Sequence, residues 1–504
     1  MVICSGNNGC DRGIFRKTKL ELFDSLRCWE SCSATGRDSQ LVSESTTRDM
    51  HSRVKRLHQT LPDLVVPRHE WSPVDESLYG PVDFYRVPLD EAHAMQLKAI
   101  KYAFKRHYDH NKFYHKYCRE KNIGPDNIKT NDDLAKIPLI PDLTFKRSPS
   151  GKDFAYWLAT VFTGEVPNIF IESADPTLDE TINAFEVAGI KVLHSSGTSG
   201  MMTFIPKDVN TMNRACYECA KSGINLNDFF VDHALMCFPN PAKASLAISS
   251  EIDVTAKLAK QAHYLFDFEM SAGMMQRAMS RSKKAAGTSG SSPQNDMQQQ
   301  TIARIVHCLE RLSKTEETFV LVGAPFMLLD MMHGLQKEGR SFDFGERGLI
   351  STGGGWRINE NARIPLADFT KHVQDVLGIP ETHCNDGYSS TELNEVLLQC
   401  PEGHYRHLPH THLKAFVLGE DLTPLDYGES GRFAFLDALA HSYPGFFITS
   451  DQVRMLEQCP VCDRPGPVLD PEIQRTKGAE IRGCAETLRR TIVGTLTSEE
   501  KRAE

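Results

Sequence analysis

The residues best suited to chemistry lie in four short stretches, each after an apolar run or a strand candidate. His194-Ser195-Ser196-Gly197-Thr198-Ser199-Gly200 follows the run Ile190 to Leu193. Backbone N–H groups and hydroxyls in such a loop can wrap around phosphate oxygens, although the same composition can also simply turn the chain. No Gly-Lys-Ser/Thr closes the loop, so it is not a phosphate site of the P-loop design. Thr352-Gly353-Gly354-Gly355-Trp356 also leaves a strand-like run, and its glycines would let a flat ring lie against the backbone. Asp386-Gly387-Tyr388-Ser389-Ser390-Thr391-Glu392 offers an aromatic face, hydroxyls and a carboxylate. Ile448-Thr449-Ser450-Asp451 adds a lone carboxylate able to accept hydrogen bonds from a ribose. Each piece alone could be a turn or a cap. At the carboxyl ends of parallel strands, four in this order would converge on one ligand crevice.

The elements that must position these loops follow from the periodicity. From residue 166 to 450, short β-type runs alternate with helix-type runs. The strand candidates are Asn168–Glu172, Lys191–His194, Leu235–Phe238, Phe319–Val322, Leu349–Thr352 and Glu381–Cys384, with helices such as Thr301–Leu312 and Leu366–Leu377 between several of them. This alternation predicts an α/β fold with a substantially parallel sheet. Asp208 is placed to cap a helix running through Gly223. Asp90 is likewise placed before a helix whose apolar positions Leu97, Ile100, Phe104 and Tyr108 step by three and four. Ile137-Pro138-Leu139-Ile140-Pro141 reads as a proline-stiffened extended connector. Beyond residue 415, Ala415–Leu418, the turn Tyr427-Gly428-Glu429-Ser430-Gly431 and Arg432–Leu436 predict a hairpin-rich β subdomain. Residues 280–300, rich in Ser, Gly, Lys and Gln, read as a surface insertion, and residues 1–79 as a poorly ordered extension.

Bulk properties narrow the class. The chain has 504 residues, 40% hydrophobic and 24% charged, with a net charge of −9. That is ordinary globular composition, and it lacks the basic field of a nucleic-acid binder. No apolar run is long enough to span a bilayer, and the N-terminus has no signal-peptide core. Fourteen cysteines in a chain of this length read as reduced thiols of a cytoplasmic enzyme, with a few as candidate nucleophiles or metal ligands. Cys4, Cys10, Cys28 and Cys32 fit no usual zinc knuckle, whereas Cys459-Pro460-Val461-Cys462 has the proline and spacing of half a zinc site. Cys216-Tyr217-Glu218-Cys219 falls in a helix and is assigned to packing.

The order Ser-Ser-Gly-Thr-Ser-Gly, Gly-Gly-Gly-Trp, Tyr-Ser-Ser-Thr-Glu and Thr-Ser-Asp resembles that of the adenylate-forming superfamily. The branch it is most similar to is the acyl-protein synthetase family (LuxE-type, luciferin-component ligases), itself related to phenylacetate–CoA ligases. Ile137 to Pro141 with Phe145-Lys146, Cys400 followed by His407-Leu408-Pro409, Cys459 to Cys462 and Arg482-Gly483-Cys484 extend the resemblance over roughly residues 80 to 490. It implies an α/β adenylate-forming fold of layered sheets and helices, with a β-rich C-terminal subdomain and a short tail. The implied domains are a catalytic one over residues 80–450 and a truncated C-terminal portion over 451–504.

The implied activity is ATP- and Mg²⁺-dependent conversion of a carboxylic, fatty acid to an acyl-adenylate, followed by transfer to a protein cysteine. By the same resemblance Ser195, Ser196, Gly197, Thr198, Ser199 and Gly200 would cradle the β/γ-phosphates. Thr391 would touch the α-phosphate and Glu392 hold Mg²⁺. Gly353, Gly354, Gly355 and Tyr388 would border adenine, Asp451 would bind the ribose hydroxyls, and Arg475 would make a second ribose or phosphate contact. Cys484 would take the acyl group as a thioester and deliver it to a reductase or another acceptor protein. Gly483 beside it allows close approach, and Arg482, Arg489 and Arg490 would favour the thiolate. Cys400 and His407 would complete a structural Zn²⁺ site with Cys459 and Cys462, with His404 and His412 as substitutes.

Three departures from the superfamily stand out. Pro206-Lys207 comes late after the loop, which places Lys207 in doubt as a phosphate ligand. Ser389 stands where glycine is usual, and only about fifty residues follow Asp451. The last makes CoA transfer by rotation of a full C-terminal domain less expected. A CoA ligase and a lapsed nucleotide- or acyl-binding scaffold are therefore the rival readings.

Overall fold

The computed structural model describes residues 39–147, 150–197, 201–284, 293–356 and 361–475. Its centre is a six-stranded sheet. Gln261–Tyr264, His233–Met236, Phe319–Gly323, Gly348–Gly353 and Cys384–Tyr388 lie side by side in that order, all parallel, and Leu397–Leu398 closes the edge antiparallel. His233–Met236, Phe319–Gly323 and the first five residues of Gly348–Gly353 are buried throughout, as expected for parallel strands covered on both faces. Successive side chains alternate between two cores. Ala234, Met236, Val320, Val322 and Leu349 join the larger one, whereas Leu235, Leu321 and Ile350 join a second with the helices Pro325–Lys337 and Leu366–Leu377. Helix Leu366–Leu377 has the predicted bounds and ends on Gly378 at φ 67°. A β-carbon at Gly378 would stand 2.6 Å from the Cα of Asp343, so conformation and space both demand glycine.

A second, largely antiparallel sheet of seven strands forms the predicted β subdomain. Leu413–Leu418, Ser430–Asp437 and Phe446–Leu456 make a meander. The last strand is its hub, because Val468–Leu469, Gln474–Arg475 and the connector strand Ile140–Pro141 all pair with it. Arg406–His407 pairs with Val468–Leu469. A third sheet is the hairpin Lys191–His194 and Met202–Lys207, joined by Lys146–Arg147. Among the described residues no helix is long and apolar enough to cross a membrane.

Several expectations differ from the structure. Asn168–Glu172 forms no strand. The strand expected at Glu381–Cys384 begins at Cys384 and runs to Tyr388, with a 3-10 turn before it. Asp90 lies in the first turn of helix Leu89–His110, whose N-cap is Pro88. The extension expected through residue 79 is helical over Ser39–Thr60 and Pro73–Tyr79, and Leu57, Val74 and Leu78 are buried in the main core. Helices Ala272–Lys284 and Pro293–Leu312 take up both ends of the expected insertion.

Asp208 caps its helix as predicted, accepting from the Thr211 N–H at 2.8 Å, and the helix Val209–Leu226 runs slightly past Gly223. Burial would raise the Asp208 carboxyl, but His441 and the two Thr211 donors overcome this and hold it at about 2. A depressed carboxylate contributes stability that is complete above its ordinary range near 4 and is lost as pH falls through 2. Asp208→Asn should therefore unfold about 1–2 kcal/mol more easily at pH 7. Urea midpoints at pH 7 and pH 3 should show that gap narrowing on acidification.

Candidate active site

Gly353 and Gly387 are register partners on adjacent parallel strands, so the loops after them leave the sheet together. Gly354 and Gly355 both have left-handed backbones, at φ 73° and 61°, a conformation glycine adopts without strain. The Tyr388 hydroxyl donates to Asp451 Oδ2 at 2.7 Å, and its ring packs edge-on against Phe433. Asp451 lies on the hub strand of the other sheet, where its backbone opposes Arg475. One hydrogen bond thus joins the two sheets where the adenine-bordering and ribose-binding residues were expected.

The loop expected to cradle phosphates has a different setting from a strand-to-helix turn. It is the tip of the hairpin, and Ser195 closes the tip's base. The Ser195 N–H donates to the Thr203 carbonyl at 3.1 Å, and Ser195 Oγ accepts from the Thr203 N–H at 3.0 Å. That oxygen therefore serves the hairpin. Ser196 is half-buried and Gly197 is buried at φ 69°, while Thr198, Ser199 and Gly200 lie outside the described residues. Lys207, at the hairpin's far end, is fully buried in an ion pair with Glu251 at 2.8 Å. This agrees with its doubtful standing as a phosphate ligand.

Thr391 and Glu392 are both buried, and Glu392 lies against the hairpin strand at Thr203. Burial raises the Glu392 carboxyl and the nearby Asp142 carboxylate raises it further, while Lys146 and the Thr203 hydroxyl oppose the shift. Tyr443 Oη donates to the Glu392 carbonyl at 3.0 Å, which fixes this segment from below. Asp142 pairs with Lys146 at 2.8 Å and accepts from Ser450 Oγ at 3.1 Å, one residue before Asp451. Hairpin, Thr391-Glu392 segment and hub strand therefore meet around Asp142 and Lys146. Sequence reasoning assigned neither residue a role. The available signals were Lys146's place in the resemblance and the spacing of the two residues, four apart, directly after the proline connector.

Under the loops lies an apolar cavity. Cys219, Phe238, Ile248, Ile252, Val396 and Leu398 line it beside Gly353 and Gly387. The apolar run Phe326 to Leu329 lies in helix Pro325–Lys337, with Met327, Leu328 and Leu329 in the second core. Cys219 is buried and its thiol is pushed well up by burial, in keeping with a packing role.

The expected metal ligands come together. Donor atoms of Cys400, His407, Cys459 and Cys462 all lie within 4.8 Å of one another, and all four residues are buried. Cys462 Sγ is 3.2 Å from His407 Nε2, and Cys400 Sγ is 4.0 Å from Cys459 Sγ. A hydrogen bond from Cys400, reinforced by His407 and opposed by burial, draws the Cys462 thiol down. Three thiols and one imidazole converging on a point suit tetrahedral Zn²⁺ by number, type and burial. The alternatives lie elsewhere: His404 pairs with Glu381 at 3.3 Å, and His412 packs on Phe84. Cys4, Cys10, Cys28, Cys32 and Cys484 lie outside the described residues, as does the side chain of Arg475.

The profile of the family described as acyl-protein synthetase, LuxE, matches residues 262–493. The chain is similar to the LuxE acyl-protein synthetases. It is 23% identical over 400 residues to a long-chain-fatty-acid–luciferin-component ligase of Vibrio harveyi, covering 79% of this chain and 88% of that one. The enzyme of the same name from Aliivibrio fischeri is 22% identical over 408 residues, covering 80% and 90%. Among solved structures, an open 2-hydroxyisobutyryl-CoA ligase superposes with a TM-score of 0.50 at 14% identity, covering 78% of this chain and 76% of that chain. The same ligase in its postadenylation state gives 0.51 at 13% identity, covering 78% and 69%. The fold is thus that of an adenylate-forming ligase.

Proposed function

We propose that the chain activates a carboxylic acid, a long-chain fatty acid by the name its LuxE relatives carry, at the expense of ATP, and passes the acyl group to the thiol of Cys484. The observation that carries this reading is the Tyr388–Asp451 hydrogen bond, because it joins the strand beside the one leading into the glycine loop to the hub strand, bringing together the residues assigned to adenine and ribose. Gly353 to Gly355 and Tyr388 border the adenine, and Asp451 receives the ribose hydroxyls, with Arg475 beside it. Ser196 through Gly200 and Lys146 face the phosphates. Glu392 holds Mg²⁺, a hard cation suited to carboxylate and phosphate oxygens. The apolar cavity beside Gly353 and Gly387 is where the first carbons of the acyl chain would enter.

In the first step a carboxylate oxygen bonds to the α-phosphorus and the bond to pyrophosphate breaks. In the second, the sulfur of Cys484 bonds to the acyl carbon, AMP leaves, and the thiol proton goes to solvent. Positioning and charge neutralisation supply most of the catalysis. The acyl group then passes to a reductase or another acceptor protein. Reduced thiols at the Cys/His centre suit a cytoplasmic setting. That centre has a structural place, since its four donors leave no open position for a reacting group.

Acid-dependent ATP–pyrophosphate exchange over fatty acids of graded length, together with labelled acid and ATP, tests both steps. The expected result is exchange plus a hydroxylamine-labile protein adduct that is lost in Cys484→Ser. An adduct that persists in Cys484→Ser would move the acceptor elsewhere. Thioester released only on adding CoA would replace this reading with a CoA ligase, and absence of exchange with every acid would leave a nucleotide- or acyl-binding scaffold.

A further inference from the structure

Two of the four metal donors are each preceded by a residue that reaches away from the centre, and both reach the same place. Gln399 precedes Cys400, and Arg406 precedes His407. Gln399 Oε1 accepts from the Asp386 N–H at 3.0 Å. Arg406 Nη1 donates to the Asp386 carbonyl at 2.7 Å, and Nη2 pairs with its carboxylate. The other carboxylate oxygen accepts from Thr352 Oγ1, the residue before Gly353. Arg406 Nη2 also donates to the Pro471 carbonyl at 2.9 Å, and Gln399 Nε2 reaches the same carbonyl at 3.4 Å. Pro471 lies three residues before the strand Gln474–Arg475 that pairs with Asp451. Two side chains therefore hold the base of the glycine loop, the strand leading to Tyr388 and the segment beside Asp451.

We propose that Arg406 and Gln399 are positioning residues through which a metal-filled Cys/His centre fixes the nucleotide crevice; only the predicted effect on ATP rests on the function proposed above. The physical reason is leverage from a fixed point. Arg406 is 4% exposed, so its guanidinium has little water to fall back on and is committed to Asp386 and Pro471. Its backbone is in turn fixed by the adjacent ligand His407. A metal that locks His407 and Cys400 locks the starting points of both tethers. Partners beyond the ligands themselves commonly set how well such a site works.

The test uses the full chain, zinc-loaded and after treatment with a zinc chelator, with hydrogen exchange read over 384–388 and over 319–323 as a remote control. Stripping should remove protection at 384–388, leave 319–323 protected and weaken ATP about tenfold in the exchange assay. Arg406→Gln should do the same with its zinc retained. Gln399→Met, a milder change for the case where Arg406→Gln does not fold, should loosen the Asp386 amide alone. Unchanged protection at 384–388 after stripping would overturn the proposal, as would purified protein that binds no metal. So would variants that keep wild-type protection and ATP affinity. Lost protection in a protein that never responds to ATP would retain the coupling and remove the nucleotide reading.

Discussion

Glu392→Gln is expected to cut acid-dependent ATP–pyrophosphate exchange by about a hundredfold or more while leaving the protein as stable as before, or more so. The two halves of that expectation have one cause. Glu392 is buried, and burial followed by the Asp142 carboxylate raises its carboxyl, so the charged form is disfavoured in the fold. A neutral amide of the same shape relieves that penalty and also removes the oxygen charge that the proposed function assigns to Mg²⁺. Exchange kinetics and a thermal melt of the same preparation separate the outcomes. A variant that exchanges normally removes Glu392 from the metal site. One that loses activity together with stability makes Glu392 a structural residue.

Lys207→Met should show the opposite pattern, a loss of about 3–5 kcal/mol of stability from a residue without a direct part in ATP binding. Lys207 and Glu251 have side chains 0% and 3% exposed and pair at 2.8 Å. Removing the lysine leaves a carboxylate in an apolar interior that burial, and after it the Asp437 carboxylate, already raise above the ordinary range. Pairing Lys207→Met with Glu251→Leu should recover most of the loss, because exchanging a buried ion pair for apolar groups is often neutral. Urea unfolding of the two single variants and the double variant gives the coupling directly. Unchanged stability with a weakened response to ATP would instead return Lys207 to the phosphates.

The parts of the molecule legible in the sequence are those whose signal is local. The glycines of Gly353–Gly355, the cap at Asp208 and the bounds of Leu366–Leu377 depend on residues within a turn of one another. The metal ligands were found from a resemblance, and the fold then brought them within reach. Asp142 and Lys146 were missed because their importance comes from the pairing of Ile140–Pro141 with Phe447–Ile448, which no local pattern encodes. The strand Cys384–Tyr388 was misplaced for a related reason. Asn385, Asp386 and Gly387 have poor strand propensity, and the sheet imposes their conformation through Gly348–Gly353. The helix Ser39–Thr60 gave little warning because the buried residues among its described side chains, Val54 and Leu57, stand among polar ones.

The hub strand Phe446–Leu456 also sets a timetable for biosynthesis. Roughly 300 residues of chain must be made after Ile140–Pro141 before its partner strand exists, and loop closure on that scale is slow. Until then Asp142 and Lys146 have no Ser450 beside them, and Tyr388 has no Asp451. A ribosome-bound chain halted before residue 446 should therefore hold a formed central sheet and only one side of the site proposed for the nucleotide, so that the proposed competence to activate an acid arrives late and all at once.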